Sequence, residues 1–226
     1  MGALAHVLEE HGLATVALMS VRSVAERMHP PRALYCEFPL GRPLGKPNDA
    51  AFQHDVLRRA FALLDSPTGP VLETHPTVIE LDTEPLACAL PARFDPDLPA
   101  AVDEAQALRA AYARSVADRG GRTSVGRVVT ADEIGAVLAA FDRIANGTEW
   151  TDAGLPADPV QCAHDVRTYY EEAALALDDA ASEPGRAEAW FYDVTEAGHT
   201  VLAARAAMQQ QGAPFALWFY VARGTR

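Results

Sequence analysis

Ala14-Thr15-Val16-Ala17-Leu18-Met19 and Ala33-Leu34-Tyr35-Cys36-Glu37-Phe38 decide the fold of this chain. Each is a bounded apolar run too short for a stable helix, so each reads as a buried strand. Working outward, Gly2 to His11 reads as a helix, with Leu4, Val7 and Leu8 on one face and Gly12 as its left-handed stop. Between the runs, Ser20 stands where it would cap a helix from Val21 to about Met28, which Pro30-Pro31 ends. Beyond the second run lies a loop, Pro39-Leu40-Gly41-Arg42-Pro43-Leu44-Gly45-Lys46-Pro47. Asn48 or Asp49 then caps a helix to about Asp65, on Phe52, Val56, Leu57, Ala60, Phe61 and Leu64. This alternation is the pattern of parallel α/β layering with a right-handed crossover. The expected fold class is therefore α/β: a small parallel-sheet unit over residues 1–80, followed by a mainly α-helical region over residues 81–226.

From residue 66 to about 96 the character changes: prolines stand at 67, 70, 76, 85, 91 and 96, with Pro99 just beyond, and the stretch reads as a surface linker with short strands at Val71-Leu72 and Val78–Leu81. A helix is expected from Asp97 to about Arg119, stopped by Gly120-Gly121. Thr130-Ala131-Asp132-Glu133 matches a capping box opening a helix to about Ala145. Asp158-Pro159 starts another to about Ala181, and Thr195 to Gln211 is a last long helix. The tail Phe215–Val221 is apolar throughout and reads as a buried strand or docking segment.

Composition narrows the function. The 226 residues carry 19 basic and 31 acidic side chains, a formal net charge of -12. A field of that sign repels phosphate backbones and anionic lipid, so neither nucleic acid nor a membrane surface is an expected partner. No run of 18 apolar residues exists to span a bilayer. The N-terminus carries two glutamates in its first ten residues and does not read as a signal peptide. Three dispersed cysteines, Cys36, Cys88 and Cys162, fit reduced thiols in a cytoplasm. Eighteen of the basic residues are Arg and only Lys46 is Lys, a bias expected of a GC-rich genome.

Candidate site residues follow from the layering. In open α/β sheets the ligand crevice lies at the carboxyl ends of the strands. Two loops leave that edge, one with Ser20, Arg22 and Ser23, the other with Gly41, Arg42, Gly45 and Lys46. Their cations would face a small carboxylate or a carboxylate-bearing amine, because arginine forks bind carboxylate through two parallel bonds. The plainer reading makes Ser20 only a cap and the glycines only turn formers. Gly41 to Lys46 fails as a phosphate loop: three residues, not four, separate its glycines, and Pro47 stands where Ser or Thr would hold magnesium. No dinucleotide fingerprint is present, and the seven histidines lack ligand spacing, so neither cofactor nor metal is expected. His164 cannot activate Cys162, since two helical positions apart they point about 200° from one another. His164, Arg167 and Glu171 read as a solvated charged stripe, and Cys162, Val166, Tyr169, Tyr170 and Leu177 as core. Cys36 reads as packing within its strand.

A resemblance enters with Val7-Leu8-Glu9-Glu10-His11-Gly12-Leu13-Ala14-Thr15-Val16, Pro30-Pro31-Arg32-Ala33 and Phe38-Pro39-Leu40-Gly41-Arg42-Pro43-Leu44-Gly45. Residues 3 to about 75 resemble the final α/β segment of the selenoprotein B family, the substrate-activating components of glycine, sarcosine, betaine and D-proline reductases. The resemblance implies reductive cleavage of a carbon–nitrogen bond by a selenocysteine or cysteine nucleophile. In that family the redox residue lies just before the helix that begins this chain, and none of Cys36, Cys88 and Cys162 matches it. The thiol or selenol is then expected from upstream sequence or from a partner chain. The alternative is a noncatalytic interaction subunit that completes a redox-active partner. A partner subunit or second copy is expected at the open sheet edge unless Phe215–Val221 closes it.

Overall fold

A computed structural model describes residues 2–80, 84–183 and 185–222. The chain divides into two compact units, Met1–Leu81 and Asp82–Arg226. The first is an α/β layer and the second is helical. The acidity is unevenly shared: residues 1–81 hold 7 basic and 9 acidic side chains, residues 82–226 hold 12 and 22.

In the first unit α1 (Gly2–Glu10) leads to β1 (Ala17–Met19), α2 (Arg22–Met28), β2 (Arg32–Tyr35), α3 (Ala50–Ala62) and β3 (Val71–Thr74). The strands are parallel in the order β1-β2-β3, with Leu18 opposite Leu34 and Leu34 opposite Glu73. Alternation along the strands sorts the core onto two faces. Ala17, Met19 and Ala33 pack with Ala25 of α2. Leu34 and Cys36 pack with Val56, Ala60 and Leu63. The two connections thus step the same way across the sheet while covering opposite faces, so they are of opposite hand. One of them departs from the right-handed rule.

Several expectations for this unit change. The strands are shorter than the apolar runs, and the ladder continues only as single bonds, Cys36 N–H to Met19 O at 2.8 Å and His75 N–H to Tyr35 O at 2.8 Å. Ser20 is not the cap of α2: Val21 holds that position and makes no side-chain bond. Asp49 does cap α3, accepting from the Phe52 amide. α1 is rotated from the expected face, with Gly2 and Ala5 buried and Leu4 and Val7 half exposed. Close approach explains this, since Gly2 sits against the Met28 side chain with little room for a Cβ. A 3-10 turn over Leu63–Asp65 tightens the end of α3, placing Leu63 inside and leaving Phe61 and Leu64 exposed. Residues 78–80 form no strand and offer one bond, Ile79 N–H to Glu37 O; Leu81 lies outside the described residues.

In the second unit α4 (Ala100–Ala107) and α5 (Arg109–Asp118) replace the single expected helix, because Leu108 takes a ψ of -7° and opens it. The capping box is present, with Thr130 and Glu133 satisfying each other's backbone ahead of α6 (Ile134–Ala145). α7 (Pro159–Ala174) starts on the expected Asp158 cap but ends early. Tight turns carry Leu175–Leu177 away, so Leu177 is exposed rather than core. α8 (Arg186–Val194) was not expected; Thr195 ends it and caps α9 (Glu196–Gln210). Of the two readings of the tail, strand or docking segment, the second is observed: it is a helix, α10 (Phe215–Val221), lying on α7 and α9. Helical spacing turns Leu217, Trp218 and Val221 inward, and Phe215 and Tyr220 project outward. Trp190, Tyr170, Phe141 and Phe191 centre the core.

Candidate functional site

The site residues expected from the sequence lie beyond the carboxyl ends of β1 and β2. Arg22 opens α2, and its guanidinium lies 4.9 Å from the Tyr35 ring centre. Its Nη2 donates to Thr74 Oγ1 at 3.3 Å, and its Nε lies 3.7 Å from Glu26. One arginine thus ties the ends of β2 and β3 on the α2 side. Ser20 is half-buried beside it and Ser23 is exposed. With only seven residues and no side-chain cap, α2 gives no ground for an anion site at its start.

The second loop folds onto the α3 side. It is two consecutive turns, Arg42 N–H to Pro39 O and Gly45 N–H to Arg42 O. Gly41 (φ 85°) is exposed, while Gly45 (φ 77°) is buried. A Cβ at Gly45 would overlap the Phe52 ring, so both dihedral and space demand glycine there. Leu44 joins the core under α3, and Arg42 is half-buried. Lys46 accepts from Gln53 through its carbonyl and holds its ammonium 5.5 Å from the Phe52 ring centre. Arg22 and Lys46 therefore stand on opposite faces of the sheet, and the structure does not gather them into one cleft.

His75, one of the histidines that lack ligand spacing in the sequence, packs on the α3 side of the sheet's carboxyl edge. His75 follows β3 directly and is 2% exposed. Its ring lies among Phe38 and Phe52, at centre distances of 5.2 and 5.6 Å. Its Nδ1 accepts the Thr77 amide at 3.1 Å, which assigns the proton of the neutral ring to Nε2. Nε2 faces Asp55 Oδ2 at 3.6 Å, too long for a hydrogen bond but within ion-pair range when the ring is charged. The Arg59 hydrogen bond holds the Asp55 carboxyl below the usual range, with Arg58 and His75 adding to it against desolvation. The expected strand Val71-Leu72 stopped short of it; β3 runs on to Thr74 and so sets His75 directly at the carboxyl edge.

In the second unit the buried acids serve the fold. Asp165 accepts the amides of Gly126, Arg127, Val128 and Val129. Burial pushes its carboxyl up, but those four amides outweigh it and hold it below the ordinary value. Glu172 accepts from Ser124 N–H, Thr123 Oγ1 and Arg119, and is likewise held down against burial. Asp103 accepts from Phe94 and Asp95. Glu104 caps α9 through the Glu196 and Ala197 amides, yet burial dominates and raises it. Arg167 is no solvated stripe: it pairs with Glu171 at 3.3 Å and Glu188 at 3.5 Å, half-buried against α8.

Burial lifts the Cys36 thiol to about 11 and raises Cys88 and Cys162 as well. Among the described residues no three His, Cys, Asp or Glu side chains converge as a metal site, and no helix is long and apolar enough to cross a membrane. No family model, curated protein or solved structure matches this chain.

Proposed function

We propose that residues 2–80 complete a reductase-like α/β module that acts in reductive carbon–nitrogen bond cleavage. In this reading they add three parallel strands to a larger sheet. The further strands and the reactive thiol or selenol come from upstream sequence or a partner chain. The observation that carries the reading is the sheet. Among the described residues β1 and β3 each pair on one side only, and β3 leaves Leu72, Glu73 and Thr74 exposed. Parallel sheets are normally covered on both faces and extended by further strands.

The cysteines support the external thiol. A thiolate is the nucleophile, and a thiol at about 11 is ionised in roughly one molecule in ten thousand at pH 7. The same observation favours the second reading, a noncatalytic subunit completing a redox-active partner.

The test incubates the purified full chain with a dithiol and glycine, sarcosine, betaine or D-proline, and follows amine release or ring opening. The expected result is no turnover alone and turnover when a cysteine- or selenocysteine-bearing partner is added. Turnover by the lone chain overturns the external thiol. No turnover with any such partner leaves the noncatalytic reading.

A further inference from the structure

The helical unit carries a groove of about 530 Å³ between α4 and α6, a size suited to a small molecule. Ala105 on α4 and Gly135, Ala136 and Ala139 on α6 keep it open, and Val102 and Tyr169 complete its apolar lining. Small residues alone mark nothing. Beside them, a pair of opposite charges lines the groove. Arg109 begins α5, Asp132 precedes α6, and the two are bonded to each other. Their side chains are 65% and 73% exposed, and a pair so exposed contributes little to stability, so a ligand can replace it at small cost. Both charges act on the Tyr169 phenol: burial pushes it up to about 12, Arg109 pulls it down and Asp132 pushes it up.

We infer that this groove binds an amino acid with a large apolar side chain, its carboxylate on Arg109, its ammonium on Asp132 and its side chain among Ala105, Gly135, Ala136 and Ala139. Each alternative ligand fails one part of the site. An aliphatic acid meets Asp132 with a like charge. An aliphatic amine meets Arg109 in the same way. Glycine leaves the apolar lining wet. The inference does not depend on the function proposed for residues 2–80, because every residue it uses belongs to the other unit.

The test is calorimetric titration and thermal melting of the full chain with L-leucine and L-phenylalanine at millimolar concentration, against glycine, 4-methylpentanoate and isoamylamine. Binding of the two amino acids is expected, with the three controls weaker by about tenfold or more. Arg109→Gln and Asp132→Asn should each weaken leucine by about 10- to 100-fold. Ala136→Leu should block binding by filling the groove, and its circular dichroism and unliganded melting should match the parent chain. The inference is overturned if neither amino acid gives heat or a melting shift, if the acid or the amine binds as tightly, or if both charge variants bind like the parent. The ligand panel on the unsubstituted chain decides the matter even where a variant folds poorly.

Discussion

Asp165→Asn should destabilise the helical unit more than most single substitutions in it. The carboxylate is fully buried, and Oδ1 accepts from Gly126 and Arg127 at 3.3 and 3.1 Å while Oδ2 accepts from Val128 and Val129 at 2.9 and 3.1 Å. Asparagine retains one accepting oxygen and replaces the other with an NH2 group. That group points a donor at two backbone donors and leaves both without an acceptor. An unsatisfied buried group costs about 1–3 kcal/mol, so two, with a lost charge-assisted bond, amount to about 3–5 kcal/mol. In a chain of this size that lowers Tm by roughly 6–20 °C. All three tryptophans, Trp150, Trp190 and Trp218, lie in the helical unit, so fluorescence during urea or thermal denaturation reports on that unit alone. The pH dependence has a definite sign. A depressed folded pKa adds stability that is complete above the ordinary value of 3.8 and drains away as the pH falls below it. The parent chain should therefore lose stability in acid more steeply than the variant. A loss under about 1 kcal/mol with unchanged acid sensitivity would refute the argument that these four bonds hold residues 126–129.

Gly198→Ala should cost more than about 3 kcal/mol in a urea titration, because a Cβ there overlaps the Phe191 carbonyl, which also accepts the Thr195 hydroxyl. Gly45→Ala should lower stability by about 1–3 kcal/mol, from a left-handed φ and displacement of the Phe52 ring; a neutral result would mean the loop moves freely. Alkylation followed by mass spectrometry at pH 7 should label half-buried Cys88 first and spare Cys36 and Cys162 until the chain unfolds. Arg22→Ala should change stability by no more than about 1 kcal/mol, since the Arg22 side chain is 47% exposed and its bonds to Thr74 and Glu26 are long; a larger loss would mean that its tie between β2 and β3 carries more than an exposed contact.

Local rules acting over a few residues made part of this molecule legible in its sequence. The apolar run 14–19 contains β1, and the run 33–38 covers all of β2 but its first residue, Arg32. Of the caps expected from the sequence, those at Asp49, Thr130 and Asp158 form and that at Ser20 does not; each that forms needs only a side-chain acceptor within three residues of the amide it serves. Neighbours distant in the chain decided the rest. Periodicity placed Leu4 and Val7 on a face of α1 but not which face would be buried; packing on Met28 chose the one with Gly2 and Ala5. Seven apolar residues in the tail carry no signal separating strand from helix, and the surfaces of α7 and α9 settled that. Arg22 and Lys46 left consecutive strands in the sequence, yet the two crossovers took opposite faces and parted them. His75 and Asp165 show the same limit. Nothing beside His75 in sequence announces Phe38, Phe52 and Asp55, and the amides that Asp165 accepts lie 36–39 residues before it. A side chain's chemistry is written in its own residue, but its partners, and therefore its role, exist only once the chain has closed around it.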